Sequence, residues 1–235
     1  MDHRGKKLLA ALRSPVGKKV LTGITGLGLT VFVLEHMLGN LSYFSSDPHA
    51  YNTYADFLMS LGPLLYAIEV GLLAFFIIHI VMGVNVQVQK KKARPVGYKK
   101  YQSVGKPSMQ SLSSRTMAMT GGILLLFLIL HLISFKYGPG IEEGYVVTVE
   151  GSEIRDLKRL LEEKFQNPFY AFGYPAVMLL LGFHLRHGVW SALQSLGATN
   201  PKLTPVIYTL GGLLGALIAL GFLVLPLWIY FFVEV

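Results

Sequence analysis

LLLFLILHLISF, residues 124–135, sets one imidazole, His131, among eleven mostly apolar neighbours. Extended by the apolar residues around it, this run reaches the roughly 20 residues that a membrane-crossing helix needs. Four similar runs accompany it, and together they place spans at about 19–44, 61–89, 113–137, 170–196 and 204–232. The expected fold is an all-α membrane protein, a five-transmembrane-helix bundle forming one domain over residues 1–235. Strands are not expected, because no segment alternates in the manner of an outer-membrane barrel.

The composition agrees. The chain is 52% hydrophobic and 14% charged, against about a quarter charged in a typical soluble domain. It has no cysteine, which excludes disulfides, cysteine-ligated iron–sulfur clusters and haem attached through a C-x-x-C-H sequence. A metal would be held by histidine or oxygen. The basic start followed by an apolar run resembles a secretory signal, but the run continues into Glu35 and His36 with no small-residue cleavage site.

The formal charge of +8 is unevenly spread, so it points to topology rather than to nucleic acid. Residues 1–19 carry Arg4, Lys6, Lys7, Arg13, Lys18 and Lys19, and the 90–115 connection carries eight Lys/Arg, including KKKAR at 90–94. The 45–60 connection, SSDPHAYNTYADFLMS, carries none, and residues 138–168 carry four against seven Asp/Glu. The positive-inside rule puts the N-terminus and the 90–115 loop in the cytoplasm and the C-terminus outside. The basic face suits lipid headgroups or a docked partner. SEIRDLKRLLEEKF, 152–165, reads as a short amphipathic helix over the outer face.

Ionisable side chains inside membranes are costly and mark function by default. His36 lies in the first span, His79 in the second, His131 in the third, and His184 and His187 in the fourth. Counting 1.5 Å per residue from the span ends puts His36 and His131 in an outer layer and His79 and His184 in an inner layer, about 10 Å apart. Paired neutral imidazoles from separate helices are what bis-histidine haem requires, so two haem b groups are expected, on His36 with His131 and on His79 with His184. His187 shares a face with His184 and competes with it; the unused ring suits a haem propionate. Zinc fits poorly, since its ligands converge on one ion. Gly39, Gly83, Gly188 and Ser134 each stand one turn from a histidine and would border the rings.

Propionates need cationic or hydroxyl partners. Candidates are Ser14, Lys18, Lys19, Ser113, Arg115 and, within the fourth span, Arg186. Glu69, about 15 Å further out than His79 along its helix, is a carboxyl inside a span and the candidate proton-handling residue. Glu35 points to a different face from His36. Trp190, Trp228 and the tyrosines suit interfacial belts.

SPVGKKVLTGITGLGLTVFVLEHMLGNLSYF (14–44), SSRTMAMTGGILLLFLILHLISF (113–135) and FHLRHGVWSALQSLG (183–197) resemble the dihaem cytochrome b membrane anchor of bacterial succinate:quinone oxidoreductases, the single-chain five-helix form of succinate dehydrogenase and fumarate reductase. The resemblance covers nearly the whole chain and is weakest over 138–168. It implies axial ligands at His36, His79, His131 and His184, with the family pattern F-H-L-x-x-G favouring His184 over His187. It implies a flavoprotein subunit and an iron–sulfur subunit on the cytoplasmic face of the bacterial inner membrane, with menaquinone, or ubiquinone, as substrate. Electrons would run from succinate through the inner and outer haems to quinone, with the dicarboxylate site outside this chain. A higher oligomer of the complex is compatible with this. The rival readings are a cytochrome b serving a hydrogenase or formate dehydrogenase, and a haem-free proton-coupled transporter.

Overall fold

The computed structural model describes residues 3–93 and 112–234. Most of the 90–115 basic connection therefore lies outside the described residues. Eight helices and one hairpin follow in order: α1 (His3–Arg13), α2 (Pro15–Asn40), α3 (Ala50–Ser60), α4 (Pro63–Lys92), α5 (Leu112–His131), β1 (Val146–Val149), β2 (Ser152–Arg155), α6 (Leu157–Gln166), α7 (Pro168–Ser195) and α8 (Leu203–Phe232). Five of these, α2, α4, α5, α7 and α8, are long and apolar enough to cross a membrane. The expected spans and the observed ones differ by a few residues at their ends.

Local chemistry sets the starts. The Ser14 hydroxyl accepts from Gly17 N–H at 3.0 Å and donates to Ala11 O at 2.6 Å, while Pro15 opens α2. A Cβ on Gly17 would lie 2.1 Å from Ala11 O, so glycine is required at this elbow. Asn167 caps α7 by accepting from Phe169 N–H, with Pro168 as its first residue.

α7 and α8 make the most extensive contact. Gly211, Gly215 and Ala219 recur every fourth residue on α8 and let the backbones approach. A Cβ on Gly215 would stand 2.7 Å from Gly182 O. α2 packs on α4, α7 and α8, and α5 packs on α7. α4 is the peripheral rod: it leans on α2, touches α5 lightly and has no buried residue. Its last turn carries Lys90, Lys91 and Lys92, at the end of the bundle where α2 begins.

The other end is closed by a cap of α3, the hairpin and α6. Its core gathers Tyr51, Leu160, Leu161 and Phe165 with Phe135, Leu225 and Ile229 from the spans. Burying one such aliphatic side chain is worth about 1.5–3 kcal/mol. Asn52 ties the cap together, donating to Asp156 Oδ1 at 2.8 Å and accepting from Lys158 N–H at 2.8 Å. Arg155 donates to three carbonyls at the end of α5, those of Phe135, Gly138 and Pro139, at 2.8–3.1 Å. Burial lowers the pKa of its guanidinium.

Two expectations are corrected here. Residues 152–155 are not helical: they pair as β2 with β1, Val149 opposite Ser152. The β-branched run VVTV favours a strand, and Glu150 and Gly151, both at positive φ, make the tight turn. The amphipathic helix begins only at Leu157, capped by Asp156. The hairpin is also a pair of strands where none was expected, and the 45–60 connection holds a helix, α3.

Candidate functional site

His36 and His131 reach across from α2 and α5 with ring centroids 5.7 Å apart and planes inclined at 85°. His79 and His184 reach across from α4 and α7, 6.5 Å apart and inclined at 65°. Two imidazoles ligating one metal ion from opposite sides, each nitrogen about 2 Å from it, would hold their centroids roughly 6 Å apart. Both pairs match that spacing. Among the described residues no group of three or more His, Cys, Asp or Glu side chains is placed to hold a metal ion. Each pair offers two imidazole nitrogens from separate helices, which could hold a haem iron between them, whereas a tetrahedral ion takes four ligands.

The first pair lies toward the cap and the second toward the basic end. Their separation follows from neighbours on two helices. His79 touches α2 at Thr22 and Thr25, and a Cβ on Gly26 would stand 2.9 Å from its Cε1. His184 touches α5 at Thr120, and a Cβ on Gly121 would stand 3.5 Å from its ring. From Gly26 to His36, and from Gly121 to His131, is ten residues on each helix, about 15 Å of rise. The expected 10 Å was too short. α4 runs past the start of α2, so the spans share no common baseline from which to count.

Aromatic rings frame the cap-side pair. Phe32 stacks on His36 at 5.7 Å and Phe127 on His131 at 5.8 Å, each one turn earlier in its own helix. Phe222, Phe135 and Tyr174 complete the surround. α5 widens to a π-helical turn, Leu132–Lys136, directly after His131. Such turns concentrate at functional sites. Among the described residues, the side-chain Nδ1 of His131 and the Tyr174 hydroxyl are buried without a hydrogen-bond partner.

The basic-side pair is held differently. His79 Nδ1 lies 3.1 Å from Thr22 O and 3.4 Å from Thr25 Oγ1, and His184 Nδ1 lies 3.1 Å from Thr120 Oγ1. His187 is turned to Trp190, with ring centroids 6.0 Å apart, and its Nδ1 has no partner. The structure thus brings His184, and not His187, against His79.

The remaining candidates are distributed as follows. A Cβ on Gly83 or Gly188 would meet no atom within 4 Å, so α4 and α7 present open faces one turn from His79 and His184. Gly39 instead receives the ring of Tyr54, and Ser134 bonds the Tyr170 hydroxyl at 3.1 Å. Arg186 is directed to α8, donating to Tyr208 Oη at 3.0 Å, some 200° around the helix from His184. Ser14 is committed to the α1–α2 elbow. Lys19 and Arg115 are exposed near the basic end, while the side chain of Ser113 lies outside the described residues. Glu69 makes an ion pair with Lys136, linking α4 to the π-helical turn. Trp190 is buried against Tyr208 and His187, not in a belt, whereas Trp228 is exposed beside Phe44 and Phe232.

Sequence reading missed Thr22, Thr25, Thr120 and Lys136. One signal was available for the aromatic frame: phenylalanine precedes His36, His79 and His131 by four residues, as Phe32, Phe75 and Phe127.

Comparison of the chain with family models, with curated proteins and with solved structures found no match.

Proposed function

We propose that this chain is the dihaem cytochrome b membrane anchor of a succinate:quinone oxidoreductase, carrying electrons between a docked iron–sulfur subunit and a quinone in the membrane. The observation that carries the reading is the meeting of four histidines, from four separate spans, as two stacked pairs at metal-sharing distance. The three sequence stretches that resemble this family contain three of those four histidines. His36 and His131 would hold one haem and His79 and His184 the other. Each haem supplies reversible one-electron chemistry, and two of them about 15 Å apart along the helices span the apolar layer in steps.

The chain's own residues do the rest. The helices hold the imidazoles apposed in an apolar interior, where a bare nitrogen lone pair is the useful ligand form. Phe32, Phe127, Phe135 and Phe222 exclude water from the cap-side pair. Glu69 and Lys136, at about the level of that pair, are the groups able to exchange protons with a quinone bound at the α4–α5 seam. The basic end, with α1, Lys18, Lys19 and the last turn of α4, faces the cytoplasm in this reading and receives the iron–sulfur and flavoprotein subunits. The succinate site lies in those partners, and the cap faces outside the bacterial inner membrane.

The decisive experiment is a pyridine haemochrome assay on the purified chain, with identification of the soluble subunits that co-purify. Two haems per chain and a flavoprotein with an iron–sulfur protein are expected. A haem-free chain would overturn the reading; two haems with a hydrogenase or formate dehydrogenase partner would keep the cytochrome and replace the enzyme.

A further inference from the structure

The two histidine pairs differ in the surroundings of Nδ1. His79 Nδ1 sits 3.1 Å from Thr22 O, a carbonyl that only accepts. Its second neighbour, the Thr25 hydroxyl at 3.4 Å, spends its proton on Leu21 O at 2.7 Å and so also accepts. Both contacts demand a hydrogen on His79 Nδ1. His184 Nδ1 lies 3.1 Å from Thr120 Oγ1, and the Thr120 hydroxyl also has Thr116 O and Met117 O within reach as acceptors, 3.1 and 3.2 Å away. This back-bonding to the preceding turn is the common state of a mid-helix threonine, and it leaves the Thr120 oxygen as acceptor. The Thr22 carbonyl calls for the Nδ1–H tautomer at His79, and a back-bonded Thr120 would call for the same tautomer, with a bare Nε2, at His184. On the cap side, by contrast, His131 Nδ1 has no hydrogen-bond partner among the described residues.

We propose that Thr120 and the Thr22–Thr25 turn are positioning residues that lock the tautomer and ring orientation of His184 and His79, and raise the donor strength of Nε2, at the basic-side centre alone. The proposal rests on the haem reading above. Hydrogen bonds from the second nitrogen of a ligating histidine to protein acceptors fix its orientation and increase its basicity, and their loss typically weakens metal retention about 10–100-fold. They are also a lever on haem potential, because a stronger nitrogen donor favours the oxidised iron. The two helices contribute unequally: His184 depends on one hydroxyl, while His79 keeps the Thr22 carbonyl whatever replaces Thr25.

The test is redox titration with low-temperature EPR of the purified wild type, Thr120→Val, Thr120→Ser and Thr25→Val, with His131→Ala used to assign the basic-side signal. Valine keeps the volume of threonine and removes the acceptor. Thr120→Val should shift the basic-side midpoint upward and alter its EPR signature, with the cap-side centre unmoved. Thr120→Ser should restore both, and Thr25→Val should give a smaller shift of the same sign. Loss of the basic-side haem alone in Thr120→Val, with retention in Thr120→Ser, would support the same assignment. Two haems with unchanged midpoints and spectra in Thr120→Val would overturn it, as would a Thr25→Val shift equal to or larger than that of Thr120→Val. Should Thr120→Val not accumulate, an unmoved midpoint in Thr25→Val overturns it. A wild-type chain with no haem overturns the haem reading itself, and is distinguished because no variant is needed to see it.

Discussion

His36 and His131, ninety-five positions apart in sequence, face each other with ring centroids 5.7 Å apart and planes nearly perpendicular. Among the described residues the other rings against them are phenylalanine and tyrosine. Replacing His131 with Ala should remove one haem and leave the other. Haem content should fall from two to one per chain, and the survivor should keep its wild-type spectrum, since the pairs are about 15 Å apart along the helices. Retention of both haems, or loss of both from a folded chain, would reject the pairing.

Glu69 and Lys136 bridge the seam between α4 and α5. Glu69→Gln keeps the shape and removes the proton-exchanging group. Its expected effect is quinone reduction slowed on the order of a hundredfold, the low end of what general acid–base catalysis contributes, with haem content unchanged. If the pair is only a structural latch, Glu69→Gln and Lys136→Met will lower stability alike and leave the turnover of folded protein intact. Steady-state kinetics beside thermal unfolding in detergent separates the two outcomes.

Arg155 ties the hairpin to the π-helical turn that follows His131. Its removal leaves three carbonyls without their charged donor, and bonds to charged groups are worth about 1.5–3 kcal/mol each before solvent compensation. The group is partly exposed, so Arg155→Ala should cost about 2 kcal/mol in total. Lysine should not rescue it, because a point charge cannot reach three carbonyls as a guanidinium fork does. Haem release during graded heating should affect the cap-side centre first.

Gly215 and Gly182 lie at a close approach of α7 and α8. Gly215→Leu forces a side chain where a Cβ already meets backbone oxygen. Overpacking of this kind costs about 1–3 kcal/mol. The prediction is a lowered unfolding midpoint with both haems still present at low temperature, read by circular dichroism and the Soret band together.

The cap should loosen in acid. Hydrogen bonds from Tyr145 and then from Arg159 hold the Glu163 carboxyl below the ordinary carboxylate range. A depressed folded pKa means stability present above the unfolded value and lost as the pH falls through the folded one. The group is exposed, so the effect is small and salt-sensitive. Proteolysis of the 141–166 region should quicken below the ordinary carboxylate range in wild type, and Glu163→Gln should flatten that dependence.

Length and hydropathy alone were enough to locate five spans, because a bilayer demands about 20 apolar residues whatever they later pack against. The four histidines stood out for the same reason: a polar ring in an apolar span is visible without neighbours. Alternating helix direction even suggested which rings share a layer. The spacing of the layers, the threonines behind His79 and His184, the Glu69–Lys136 bridge and the turn of Arg186 toward Tyr208 were decided only in three dimensions. Each depends on the rotation and offset of one helix against another, and those are set by close contacts such as Gly23 against Ala192 and Gly28 against Phe75, which join residues far apart in the chain. The hairpin within the cap belongs with them. Its strands are four residues each, and they hold as a pair because the cap gives Ile154 somewhere to be buried.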